Sequence, residues 1–182
     1  MNMRLFFAVD IFPNDKKIIA NWRERKLNLP FKAVTMDNFH ITLAFLGDVT
    51  MQQQAQLSNK ADEITQQILP LYTSFVEEEK PIVLNHLGLF QKPKVLYLGL
   101  KVCPNWLKKL AENLSEQAKL IGLYQEDRPY LPHLSIYRKA NEITTDRQPN
   151  IPINIKSFSL YQSYPTDYGV SYCPIKTWKL YL

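Results

Sequence analysis

The order of apolar and polar positions divides the chain into recognisable segments. Arg4 to Asp10 (RLFFAVD) is an unbroken apolar run of strand length, the pattern of a strand buried on both faces. Pro13-Asn14-Asp15 then reads as a helix start with Asn14 at the N-cap, followed by an apolar stripe of Ile18, Ile19 and Trp22. This helix is expected to stop at Lys26 to Leu29, because Pro30 follows. Phe31 to Thr35 predicts a short strand, and Phe39 to Leu46 a longer one that closes at Gly47-Asp48. Residues 51 to 69 place Leu57, Ala61, Ile64 and Ile68 at spacings of 4, 3 and 4, a helix with one buried face that Pro70 should stop. Ser74 to Glu79, Ile82 to Phe90 and Val95 to Leu100 read as strands with connections short enough for antiparallel neighbours. A third helix after Pro104-Asn105 carries Leu107, Leu110, Leu114 and Ile121 on one face, with Gly122 as its C-cap. Tyr130 to Lys139, Ile153 to Leu160 and Ile175 to Leu182 complete the strands. Asn141 to Asn150 is expected to be a mobile loop, and Tyr164 to Asp167 a turn. Three amphipathic helices among roughly eight strands predict an α+β protein, and no repeat points to a solenoid.

Composition narrows the function classes. At 182 residues, 46% hydrophobic and 21% charged, the chain is long enough to bury its own core and is not of disordered type. Its net charge of +5 is compatible with a polyanionic partner. Cys103 and Cys173 stand far apart with no ligand spacing, so neither a disulfide framework nor a zinc site is expected. No apolar run has the length of a signal core or a membrane span, which predicts a cytoplasmic protein without membrane contact. There is no GxxxxGK[ST] loop for a nucleotide triphosphate.

The chemistry gathers in two stretches. Only three histidines occur, and two of them lie in tetrads of the same design: His40-Ile41-Thr42-Leu43 and His133-Leu134-Ser135-Ile136. Side chains alternate across a strand, so each histidine shares a face with the hydroxyl two residues on. Strict alternation sets His40, Thr42 and Ala44 against Ile41, Leu43 and Phe45. Opening a cyclic phosphodiester with water needs a base on the entering side of phosphorus and an acid on the leaving side. Imidazole serves as either near neutral pH. Thr42 and Ser135 are suited to donate to the non-bridging oxygens. The third histidine, His86, has no hydroxyl at i+2 and is expected to be a strand residue at a sheet edge or near the turn. Tyr130 and Tyr137 flank the second tetrad, where they would either stack on a base or pack the sheet. The Arg23-Glu24-Arg25-Lys26 run reads as a solvated helix face.

These tetrads, together with RLFFAVD, Trp22, DNFHITLAFLGDV, the 88–100 segment, YLPHLSIYR, SFSLYQS, Tyr172 and Trp178, give the chain a resemblance along nearly its whole length to a known family. It resembles the 2H phosphoesterase superfamily, and within it the LigT-like RNA 2′,3′-cyclic phosphodiesterases, also called 2′-5′ RNA ligases. The resemblance implies a two-lobed α+β fold over residues 1–182, a single domain of two pseudo-symmetric lobes whose antiparallel sheets, with outer helices, face a central cleft. It implies hydrolysis of RNA 2′,3′-cyclic phosphate ends to a 2′-phosphate, without metal or cofactor, by a protein expected to be monomeric. By position His40 matches the proton donor and His133 the water-activating base. Thr42, Ser135 and Arg138 match phosphate-binding groups, and Phe90 an aromatic near the nucleobase. Ser135 stands where the family usually has Thr, and strict alternation places Arg138 off the cleft face, so either the strand bends or bulges there or the long side chain reaches round. Action on 2′-5′ linkages or another cyclic phosphate, or non-catalytic binding of RNA ends, are the alternatives.

Overall fold

A computed structural model of the chain describes residues 2–77 and 81–181. Two four-stranded antiparallel sheets carry the architecture. The first has the order β10-β9-β1-β3, from β1 (Met3–Val9), β3 (Ile41–Val49), β9 (Ser157–Thr166) and β10 (Gly169–Lys179). The second has the order β2-β7-β6-β5, from β2 (Lys32–Ala33), β5 (His86–Phe90), β6 (Val95–Gly99) and β7 (His133–Arg138). A small pair, β4 (Ile82–Leu84) with β8 (Ile151–Ile153), lies apart from both. Edge strand β3 of the first sheet approaches β7 of the second where the two sheets meet.

The reason for these elements is visible in the burial. Leu5 to Val9 are all buried because β1 is central, with β3 on one side and β9 on the other. Phe7 packs beneath the sheet against Phe158 and Trp178, while Phe6 takes the opposite face. Helices α2 (Met51–Glu77) and α3 (Asn105–Leu120) pack side by side, α3 against β3 and α2 against β10. Trp106, Leu107, Leu110, Ala111 and Leu114 form the buried face of α3. Each such large apolar side chain contributes about 1.5–3 kcal/mol on burial. Gly122, at φ 86°, donates its N–H to the Lys119 carbonyl and ends α3 as expected.

Five expectations need correction. Helix α1 (Pro13–Trp22) begins at Pro13, so Phe12 rather than Asn14 is at the N-cap, and proline's missing N–H falls where no partner was available. Helix α2 does not stop at Pro70 but continues to Glu77. Its apolar stripe runs on through Tyr72 and Phe75, both packed on Trp106, and Pro70 is on the exposed side where water meets the freed carbonyl. The strand expected from Ser74 is therefore the end of this helix, and its remainder at 78–79 lies outside the described residues. Strands β9 and β10 extend further than expected, so Tyr164 to Thr166 belong to β9 and the turn is at Asp167-Tyr168. Finally, Arg23 is buried in a wide turn (Arg23–Leu27) rather than solvated.

Candidate functional site

The two tetrads are built alike. His40 sits one residue before β3, and its Nδ1 lies 2.7 Å from the carbonyl oxygen of Asn38. His133 starts β7, and its Nδ1 lies 2.9 Å from the carbonyl oxygen of Leu131. A carbonyl only accepts, so each Nδ1 carries the hydrogen and each neutral ring keeps its lone pair on Nε2. Each ring is thus fixed by the backbone two residues before it. Asn38 is in turn tied to β10 by its amide, which donates to the Val170 carbonyl at 2.7 Å.

Both strands also bulge at the same place. In the β1–β3 ladder Phe7 pairs with Ala44 and Ala8 with Thr42, leaving Leu43 unopposed. In the β6–β7 ladder Leu96 pairs with Tyr137 and Tyr97 with Ser135, leaving Ile136 unopposed. An extra residue reverses the alternation beyond it. Thus Arg138, not Tyr137, shares the face of His133 and Ser135: Ile136 and Tyr137 are buried in succession and Arg138 is exposed. In the first tetrad the same reversal buries Ala44 and exposes Phe45, contrary to strict alternation. Phe45 is the positional counterpart of Arg138, and the Arg4 guanidinium lies 5.1 Å from its ring centre.

Buried Arg23 supports the second bulge. Its guanidinium donates to the carbonyls of Val34 (2.5 Å) and Ile136 (3.2 Å) and lies between the rings of Phe39 and Tyr137. Tyr137 is sheet packing, its hydroxyl accepting from the Leu29 N–H. Tyr130 packs against the core, and its hydroxyl donates to the Thr42 carbonyl at 3.1 Å, linking the approach to β7 with β3. His86 is in edge strand β5, as expected.

Aromatic rings enclose both histidines. Phe6 and Tyr172 each place a ring centre 5.0 Å from His40. Phe90 and Tyr97 lie 4.9 and 5.5 Å from His133 and stack on one another at 4.4 Å. The ring of Tyr97 lies across Gly88, where a Cβ would meet its Cζ at 2.3 Å, so only glycine admits this stack. Periodicity passes over these partners because aromatic residues look the same whether they pack a core or border a site. The glycine opposite Tyr97 was the available signal. A groove of about 780 Å³ opens beside His133 and takes in Thr42, Phe45, Phe90, Arg128 and Tyr130. Ser135 and Arg138 lie on the face of His133 outside it, and His40 borders a separate, smaller cavity with Phe6, Phe39, Tyr161 and Tyr172. No cluster of three or more metal-ligating side chains occurs among the described residues.

Enclosure sets the charge state. Burial pushes the His40 imidazole down from 6.5 to about 4, against the pull of the Asn38 hydrogen bond, and the charges of His133, Lys16 and Arg138 lower it further. His133 is also lowered, chiefly by burial and then by Arg128, with its bond to Leu131 opposing. At neutral pH both rings of the free protein are neutral. Burial likewise holds the Tyr130 hydroxyl far above its ordinary range, so it remains a donor.

Comparisons with known proteins give the chain its family. The family model described as LigT like Phosphoesterase matches residues 11–97, which include the first tetrad. The RNA 2′,3′-cyclic phosphodiesterase of Escherichia coli is 34% identical over 97% of this chain and 96% of its own length. The protein of the same name from Methanocaldococcus jannaschii is 28% identical over 97% of this chain and 100% of its own. Among solved structures, Escherichia coli LigT complexed with 3′-AMP superposes with a TM-score of 0.84 at 31% identity, covering 98% of each chain. The α+β fold, the family-model match and the full-length relatives together establish that this chain belongs to the LigT-like phosphoesterases of the 2H superfamily.

Proposed function

We propose that the chain hydrolyses the 2′,3′-cyclic phosphate at an RNA end to a 2′-phosphate, by acid–base catalysis between His40 and His133 without a metal ion. The observation that supports this most is the matched pair of imidazoles, one just before β3 and one at the start of β7, each with Nδ1 bound to a carbonyl and Nε2 without a hydrogen-bond partner among the described residues. The relatives named RNA 2′,3′-cyclic phosphodiesterase supply the substrate class.

In this reading His133 Nε2 takes a proton from water as its oxygen attacks phosphorus. The P–O3′ bond breaks in line, and His40 Nε2–H protonates the departing O3′, leaving a 2′-phosphate and a 3′-hydroxyl. Thr42, Ser135 and Arg138 donate to the non-bridging oxygens, and Phe90 borders the base. Because His40 is neutral in the free protein, the phosphate's negative charge must restore its proton on binding. A strongly depressed imidazolium is in turn a strong acid toward an alkoxide. The test is incubation with an oligonucleotide bearing a 2′,3′-cyclic phosphate, with and without EDTA, and identification of the phosphate left. A 2′-phosphate formed equally in EDTA is expected. His40→Ala and His133→Ala should each lose about 10²–10⁴-fold in kcat. A 3′-phosphate product, or full activity in either variant, refutes the reading.

A further inference from the structure

We propose a second phosphate subsite at Lys32, which takes the backbone phosphate next to the reacting one and gives this protein a preference for RNA ends over mononucleotides. The inference rests on the function proposed above. In the second sheet Lys32 pairs with Arg138, Arg138 with Val95, and Val95 with Phe90. Residues directly opposite one another share a face, and the bulge at Ile136 has turned Arg138 to the face of His133 and Ser135. Lys32 is therefore on the cleft face beside Arg138, one strand over from that of His133.

Two like charges directly opposed on a sheet are about 4.5–5.5 Å apart at Cβ and destabilise the pair. Nothing here offsets them: neither Lys32 nor Arg138 has a carboxylate within 4.0 Å among the described residues. Lys94 and Lys139 add to the same end of the sheet, where the Ala140 N–H donates to the Lys94 carbonyl, and both are exposed. Neighbouring exposed cations held together with no counter-charge are what a bridging anion relieves.

The opposite direction does not suit a phosphate. The 780 Å³ groove beside His133 presents Glu112, Glu116, Glu126 and Asp127. Its cations already face carboxylates, Lys119 with Asp127 at 3.9 Å and Arg128 with Glu126. A polyanion leaving the cleft is repelled there and attracted over Arg138 and Lys32. Strand geometry places Lys32 about 4.8 Å across from Arg138, so a phosphate next to the one held by Arg138 falls within reach of its side chain.

The experiment compares a nucleoside 2′,3′-cyclic phosphate with a dinucleotide carrying the same cyclic end and one internal phosphate. Both are assayed on wild type, Lys32→Glu, Lys32→Arg and, as a distant charge control, Lys101→Glu. Wild type should favour the dinucleotide in kcat/KM. K32E should bring the dinucleotide-to-mononucleotide ratio down at least tenfold, K32R should restore it, and K101E should leave it as in wild type. The slope of log KM for the dinucleotide against log salt should fall by about 0.7 in K32E, the share of one single-strand phosphate contact. An unchanged ratio in K32E, a wild type indifferent to the internal phosphate, or an equal effect of K101E overturns the subsite. Failure of wild type on both substrates sinks the parent function instead.

Discussion

The enclosure of His40 predicts a measurable loss of stability in acid. Its ring is packed between Phe6 and Tyr172, and its pKa falls from 6.5 to about 4 in the folded chain. The unfolded chain therefore binds this proton first. Above pH 6.5 the ring is neutral in both states and contributes no pH dependence. As pH falls from 6.5 toward 4 the unfolded state gains a proton that the folded state refuses, and stability drops. At about 1.36 kcal/mol per pH unit, with the folded ring half protonated at pH 4, the loss from this residue is about 3 kcal/mol. His133, lowered for the same first reason, adds a loss of the same sign. The perturbation is His40→Asn, whose side-chain nitrogen can still donate to the Asn38 carbonyl but does not titrate. Urea unfolding of both proteins at pH 7 and pH 4 cancels the other titrating groups in the difference. Wild type should lose about 3 kcal/mol more than the variant between the two pH values. Equal losses would show that the ring is solvated in the folded protein. The neutral resting state, and with it the need for phosphate to supply charge, would then be wrong.

Two further substitutions probe how the site is held. Arg23→Met keeps the packing against Phe39 and Tyr137 but removes the donors to the Val34 and Ile136 carbonyls. With hydrogen bonds from a charged group contributing about 1.5–3 kcal/mol each, it should cost at least about 2 kcal/mol in urea unfolding and lower kcat/KM by freeing the bulge that aims Arg138. Stability within about 0.5 kcal/mol of wild type together with full activity would refute a role for Arg23 in the bulge. Gly88→Ala drives a methyl into the Tyr97 ring and must displace it from Phe90 and His133. Overpacking of this kind costs about 1–3 kcal/mol, and kcat/KM should fall at least tenfold at a temperature where the variant stays folded. Wild-type kinetics would show that the Tyr97 stack has no part in placing His133.

Local pattern carries much of this protein. The buried run of β1, the amphipathic faces of α2 and α3, the Gly122 cap and the paired His-x-Thr/Ser tetrads all follow from spacing and residue type, because each depends on neighbours within a few positions. Spacing reaches no further than the strand that carries it. Pro70 looked like a stop, since nothing local shows that Tyr72 and Phe75 have Trp106 to pack on. Arg23 looked solvated, since its two carbonyl partners are 11 and 113 positions away. Alternation placed Ala44 on the cleft and left Arg138 off it, because a bulge exists only in the register between two strands. The charge state of the histidines is also a tertiary property, set by the rings that displace water around them. Sequence alone singled out the candidate groups of the site; the ladders and the packing decided which way they point and whether they carry a proton.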